Sequence, residues 1–255
     1  MPALAKNSPA GNRSSARPAC SQVTRGERSH EEDVFEQFLQ GPVLGFIYGT
    51  VLTRRIEPAK ALFEHPCVLL NCYETRRKLP SVVPGDLAGG RTATLRLIEA
   101  GRRRIALING EDGLDASRDR LRGYQQALAS NDINFDPALI HPGNWEPSAG
   151  YEGTRALMAL PEPPDAFFCA NDMMAMGCFE ALKELGLAIP ADISVIGFDD
   201  REIAQFMHPG LTTLLLPQYE MGRLAAELLI EQTGGLKVRH NQLKVECPLV
   251  ERHSV

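Results

Sequence analysis

The 255-residue sequence lacks the marks of several common protein classes. No apolar stretch approaches the ~18 residues that a membrane-spanning helix needs. The N-terminus also lacks the apolar core of a secretory signal. The six cysteines, Cys20, Cys67, Cys72, Cys169, Cys178 and Cys247, include no CxxC pair and have no histidine cluster beside them. That spacing excludes the usual zinc frameworks. Cys169 and Cys178 lie in or beside apolar runs, where a thiol acts as a small hydrophobe. Free thiols without a disulfide pattern point to a reducing cytoplasm. An excess of basic residues is missing too. The formal net charge is -5 and the pI about 5.7, so bulk charge gives no support for nucleic-acid binding.

Catalytic motifs are equally scarce. There is no Ser-His-Asp order, no H-E-x-x-H and no phosphate-cradling loop. Gly85-Asp86-Leu87-Ala88-Gly89-Gly90 is glycine-rich but does not fit GxGxxG, and helix–sheet packing is its expected role. Asp199 and Asp200 are sequence neighbours whose side chains diverge in a strand, so they do not form a carboxylate pair. No cofactor, no metal and no enzymatic activity are expected.

Residues 1–33 hold Pro2, Pro9, Pro18, Gly11, Gly26 and many Ser and Arg, with almost no periodic apolar residues. Such a segment buries too little surface to offset its ordering entropy, and reads as a disordered or non-native tail. From Val34 the character changes. Phe35, Phe38 and Leu39 have helical spacing, and Gly41-Pro42 stops the segment. Val43–Tyr48 reads as a strand, Glu57–Phe63 as a helix and Cys67–Leu70 as a strand. Helices follow over Leu87–Ala100, Ser117–Ala129, Ser148–Leu160, Asp172–Leu185 and Gln218–Glu231. Strands Ile105–Ile108, Ala166–Cys169, Ile193–Phe198 and Thr212–Leu215 alternate with them, and Leu243–Val250 forms a last strand. This alternation gives βαβ units and parallel sheets covered on both faces. Ligands of such sheets sit beyond the carboxyl ends of the strands.

Four strand ends carry polar residues. Asn109-Gly110-Glu111-Asp112 is followed by Ser117, Arg118 and Arg120. His141-Pro142-Gly143-Asn144 leads to Trp145, the single tryptophan. Asn171-Asp172 and Asp199-Asp200 close two further strands. Together the guanidinium, amide and carboxylates can satisfy several hydroxyls, with Trp145 as a flat wall for a sugar ring. Arg120 can instead hold a carboxylate or phosphate bidentately. Each feature also has a plain structural use: Asn171 or Asp172 as an N-cap, Asp199-Asp200 as a turn, Trp145 as core, the arginines as a solvated face.

The series Asp165–Gly177, with Asn171-Asp172 at its centre, then Gly186–Asp200, Pro209, Leu211-Thr212-Thr213 and Met221–Ala225 resembles the sensor domain of lac/gal-repressor-type transcription regulators. Asp86–Gly90 and Ile98–Asn109 resemble it more loosely, and the likeness spans roughly residues 43–250. It implies an α/β fold of two Rossmann-like lobes with parallel sheets, similar to periplasmic sugar-binding proteins of type I. The chain would cross between lobes near Arg103, near Leu216 and near residue 240. The first lobe would hold 34–103 plus 217–240, and the second 104–216 plus 241–255. The implied partner is a sugar, polyol or sugar acid, bound between the lobes by Arg120, Asn171, Asp199, Trp145 and Ser117. Leu216 stands where many relatives have a polar residue. Operator DNA is the partner of full-length relatives, and a homodimer is implied as well.

Two parts of the family pattern have no counterpart here. Residues 1–33 show no apolar pattern that could pack a helix-turn-helix. Two βα units that precede the strand at Val43–Tyr48 are also missing, which predicts an incomplete first lobe with exposed strand edges. The expected function is therefore effector sensing without a DNA reader of its own. A freestanding or periplasmic sugar-binding protein is the alternative.

Overall fold

Apolar strands and the helices between them build two sheets in the computed structural model, which describes residues 19–25, 27–235 and 242–255. Residues up to Val43 form one unit and Leu44–Val255 a second. In the first lies α1 (Arg28–Leu39). The helix expected from Val34 thus begins at Arg28, inside the segment read as a tail. Most of that segment, residues 1–18 and Gly26, lies outside the described residues.

The second unit contains both sheets. Four parallel strands form the first, in the order β1-β2-β3-β9: β1 (Phe46–Ile56), β2 (Cys67–Glu74), β3 (Ser81–Pro84) and β9 (Gln242–Val245). Helix α7 (Gln218–Thr233) covers one face, where Met221, Ala225 and Leu228 pack on Val68 and Val82. Among the described residues, β1 is an outer strand of this sheet. The helix expected over Glu57–Phe63 is a single 3₁₀ turn, Lys60–Phe63.

Six strands form the second sheet, in the order β10-β8-β7-β6-β4-β5. They are β4 (Ile105–Ile108), β5 (Ile140–His141), β6 (Ala166–Cys169), β7 (Ser194–Asp199), β8 (Thr212–Leu215) and β10 (Leu249–Val250). All pairs are parallel except β10 with β8. Helices α2 (Asp86–Glu99) and α3 (Asp115–Ala129) cover one face through Leu97, Tyr124 and Leu128. Helices α4 (Pro147–Met158) and α5 (Asp172–Glu184) cover the other through Leu157, Cys178 and Leu182. A short α6 (Ile203–Phe206) follows β7.

This arrangement corrects the expected lobe boundaries. Helix α2 was expected with the first lobe, yet Ala93, Leu97 and Ile98 pack against Ile105, Phe168 and Phe198 of the second sheet. The chain therefore crosses at Gly85 rather than near Arg103. At Leu216 the chain leaves β8 of the second sheet for α7, which packs on the first. The crossing expected near residue 240 lies outside the described residues. The structure places the third crossing at Glu246–Pro248, because the last predicted strand divides in two. Its first part, β9, pairs with β3, and its second, β10, with β8. Strand β3 carries no periodic signal: it has four residues, with Pro80 before it and Pro84 at its end. Proline usually marks strand edges.

Glycines set how closely the helices approach. A Cβ on Gly90 would lie 2.5 Å from the Arg120 carbonyl oxygen, and one on Gly123 would collide with the backbone of Leu87 and Arg91. Helices α2 and α3 therefore touch backbone to backbone. Gly89 faces the Phe198 ring, so the glycine-rich segment serves helix–helix as well as helix–sheet packing. We expect Gly123→Ala to lower the unfolding free energy by about 1–3 kcal/mol, as overpacking does. Gly222→Ala in α7 meets nothing within 4 Å and should instead add roughly 0.5–1 kcal/mol. Urea denaturation of both variants checks the pair.

Candidate functional site

The carboxyl ends of β4, β5, β6 and β7 and the N-termini of α2 and α3 converge on Arg120. Its side chain is buried, 3% exposed. Nε and Nη2 donate to Asp86 Oδ1 at 2.9 and 2.8 Å. Nη1 donates to the Ala170 carbonyl. The guanidinium carbon lies 3.6 Å from the Phe198 ring centroid and 5.6 Å from that of Trp145. Arginine suits this position because its flat face stacks on aromatics while its edge binds a carboxylate. Sequence reasoning did not single out Asp86 as this partner. Its signal was only an acidic residue opening a helix, which has many other uses.

Asn171 and Trp145 form a second pair. Asn171 is the N-cap of α5, its Oδ1 accepting from the Met174 N–H at 2.8 Å. Its Nδ2 donates to the Trp145 carbonyl at 2.9 Å. The capping role and a place at the site are thus combined in one side chain. Trp145 adopts a left-handed backbone, φ 69°. Its indole lies so close over Gly110 that any side chain there would collide with it.

Asp199 and Asp200 end β7 with φ of 115° and 52°. The Asp199 carboxylate accepts from Arg201 Nε at 3.2 Å, and its carbonyl accepts from the Leu216 N–H at 3.2 Å. Burial pushes the Asp199 carboxyl up, while Arg120 and Arg201 pull it down. Asp200 turns away to Arg252 Nη2 at 2.7 Å, so the two carboxylates diverge. Leu216 packs beside the core of the second sheet and is not a replacement ligand group. Asp172 lies beneath. Its Oδ1 accepts from Thr213 Oγ1 at 2.6 Å and its Oδ2 from the Arg201 N–H at 2.7 Å. Burial pushes its carboxyl up to about 7, against those hydrogen bonds.

Ser117 is 2% exposed at the first turn of α3. Its carbonyl accepts from Asn109 Nδ2 at 3.2 Å. Its hydroxyl has no partner, and neither do Asn109 Oδ1, Asp86 Oδ2, Asp115 Oδ2 or Trp145 Nε1, all buried. An unpaired buried polar atom costs about 1–3 kcal/mol, so these five mark where water, an ion or a ligand would supply the missing hydrogen bonds. The first sheet reaches the same place through Tyr73 on β2. Burial and a hydrogen bond to Asp115 push its hydroxyl up, and one from Arg118 opposes them. All five predicted residues, Arg120, Asn171, Asp199, Trp145 and Ser117, therefore border one region. Asp86, Asn109, Asp115 and Tyr73 join them.

Known proteins resemble the chain as follows. A family model described as a periplasmic binding protein-like domain matches residues 94–255. The HTH-type transcriptional repressor CytR of Escherichia coli (strain K12) is 35% identical over 237 residues, covering 91% of this chain and 70% of CytR. The ribose operon repressor of the same strain is 32% identical over 235 residues, 91% of this chain and 71% of its own. These matches exceed what residues 43–255 can supply, so the likeness extends upstream of Val43, further than the motifs alone suggested. A LacI-family regulator from Rhizobium etli superposes with TM-score 0.82 at 30% identity, covering 91% of this chain and 85% of that one. The regulator CelR in a cellobiose complex gives 0.77 at 29%, covering 90% and 71%.

Asp172 supplies a pH test. Its folded carboxyl titrates near 7 and an unfolded one at about 3.9. The folded state binds the extra proton between those values. Stability from this group is therefore fully present below about pH 4 and is lost as pH rises to about 7. The unfolding free energy of the wild type should fall relative to that of Asp172→Asn across that window. Urea denaturation at about pH 4.5 and about pH 7.5 measures it. An unchanged difference between the two proteins would assign the titration elsewhere.

Proposed function

The chain belongs to the LacI family of transcriptional regulators, and from that premise we propose that it is an effector-sensing domain that binds a sugar or sugar-like small molecule between its two lobes. The observation that carries this reading is the set of buried polar atoms without a protein partner at the starts of α2 and α3, at the end of β4 and on Trp145: Ser117 Oγ, Asn109 Oδ1, Asp86 Oδ2, Asp115 Oδ2 and Trp145 Nε1. They mix donor and acceptors beside an aromatic face, the complement of a ring carrying hydroxyls. LacI-family regulators bind small-molecule effectors and operator DNA. The names of two relatives speak of ribose and of cellobiose.

Each residue has a role in this reading. Trp145 packs on the ring face. Asp199, with its carboxylate held by Arg201 on one oxygen, accepts from ligand hydroxyls. Ser117 and Asn109 take a further hydroxyl. Arg120 and Asn171 chiefly hold the wall in shape, because most of their hydrogen-bonding capacity is already engaged. The domain binds and releases its effector without turnover. In support, the relatives are repressors, and burial pushes the thiols of Cys67, Cys72 and Cys247 up to about 12, away from nucleophilic use. We also place the protein in the cytoplasm, in keeping with six free cysteines. No helix among the described residues is long and apolar enough to cross a membrane.

The test is a thermal-shift screen against pentoses, hexoses and disaccharides, followed by calorimetry of any hit. Trp145→Ala and Asp199→Asn should each weaken the hit by at least about tenfold, the loss of one good ligand contact. A ligand bound equally well by wild type and both variants would sink the site. Conversion of the ligand during titration would sink the non-enzymatic reading.

A further inference from the structure

The unfilled groups are not balanced between donors and acceptors. Asp86 Oδ2, Asp115 Oδ2 and Asn109 Oδ1 can only accept, Trp145 Nε1 can only donate, and Ser117 Oγ can do either. Charge is unbalanced in the same direction. Asp86, Asp115 and Arg120 are all buried, at 3%, 6% and 3% exposure, and Asp199 is nearly so. Arg120 is the one buried cation of the group. It is already spent on Asp86 through two nitrogens and on the Ala170 carbonyl through the third. Arg118 and Arg201 are half exposed and are bound to Asp115 and Asp199.

We propose that this cleft selects an uncharged polyhydroxy effector and rejects its anionic counterparts, sugar acids and sugar phosphates, with Asp86 and Asp115 as the residues that set the discrimination. The inference rests on the effector-site reading above and narrows it. An incoming carboxylate or phosphate brings only lone pairs. It would face three unfilled acceptors and compete with Asp86 for a guanidinium whose charge is already matched. A hydroxylated ring brings one donor per hydroxyl and fills the same three acceptors. Rejection here works through unpaired and like-charged groups rather than through shape, which is an effective route to specificity. The sequence alone left Arg120 free to clamp an anion. Its pairing with Asp86 removes that option.

Calorimetric titration with matched probes tests this: D-ribose against D-ribose 5-phosphate, D-glucose against D-gluconate, and cellobiose against cellobionate. In any pair that binds, the neutral member should bind at least about 100-fold more tightly, as like-charge contacts cost several kcal/mol. Asp86→Asn and Asp115→Asn should each narrow that ratio by about tenfold or more. Asp115→Asn keeps the Asp86–Arg120 pair intact, so the test survives if Asp86→Asn fails to fold. An anionic member that binds as tightly as its neutral partner would overturn the proposal while leaving the effector site standing. A ratio unchanged in both folded variants would overturn the roles of Asp86 and Asp115. No binding by any member of any pair at millimolar concentration would overturn the effector reading, and this inference with it.

Discussion

Where α2 crosses α3, Asp86 and Arg120 hold opposite charges away from water. The effective desolvation penalty is several kcal/mol per ion, and close geometry must offset it. Here the offset comes from several sources at once. Two guanidinium nitrogens reach one carboxylate oxygen, the third reaches a backbone carbonyl, and the flat face stacks on Phe198. None of this is available unless the helices approach to backbone contact, which Gly90 and Gly123 permit. The ion pair in turn ties the start of α2 to the second sheet, immediately after the chain has left the first.

The walls around that pair are held under strain. Trp145, Asp199 and Asp200 all have positive φ without being glycine. Such conformations cost of order 1–3 kcal/mol each and persist only where surrounding bonds dictate them. Those bonds are present. Asn171 holds the Trp145 carbonyl, Leu216 holds the Asp199 carbonyl, and Arg252 holds the Asp200 carboxylate. Three of the seven non-glycine residues with positive φ among the described residues thus lie beside this pair.

The second lobe was legible in the sequence because its strands are short apolar runs and its helices have clear starts and stops. Ala166–Cys169 and the helix opened at Asp172 appeared where expected. The first lobe was harder to read. Its β3 is framed by prolines, and β9 looked continuous with β10. Whether α2 belonged to one lobe or the other depended on contacts with Ile105 and Phe198, far along the chain. The site shows the same division. Asn171 and Asp199 could be named because they follow strands directly, and Arg120, Ser117 and Trp145 because they lie in the segments after β4 and β5 and match the family pattern. Asp86 could not be paired with Arg120, since a contact across 34 residues leaves no periodic trace. That pairing matters most chemically, because it turns an apparent anion clamp into a neutralised wall.

The three lobe crossings lie close to the residues of the proposed site. Gly85, the first, precedes Asp86 directly. At the second, Leu216 donates its N–H to the Asp199 carbonyl. The third, Glu246–Pro248, begins next to Val245, whose carbonyl accepts from the Gly85 N–H at 2.7 Å. Asp86 and Asp199, carboxylates of the proposed site, are thus within a residue or one hydrogen bond of the segments that join the two lobes. Under the proposed function, a ligand would shift the lobe arrangement only by its differential affinity for the arrangements it meets. Tyr73 supplies a source for that difference, since it leaves the first sheet to meet Asp115 and Arg118 on the second. An effector seated on Asp115 would contact both lobes only when they are together. Occupancy and lobe angle would then be linked through the same few atoms, with no longer chain of contacts required.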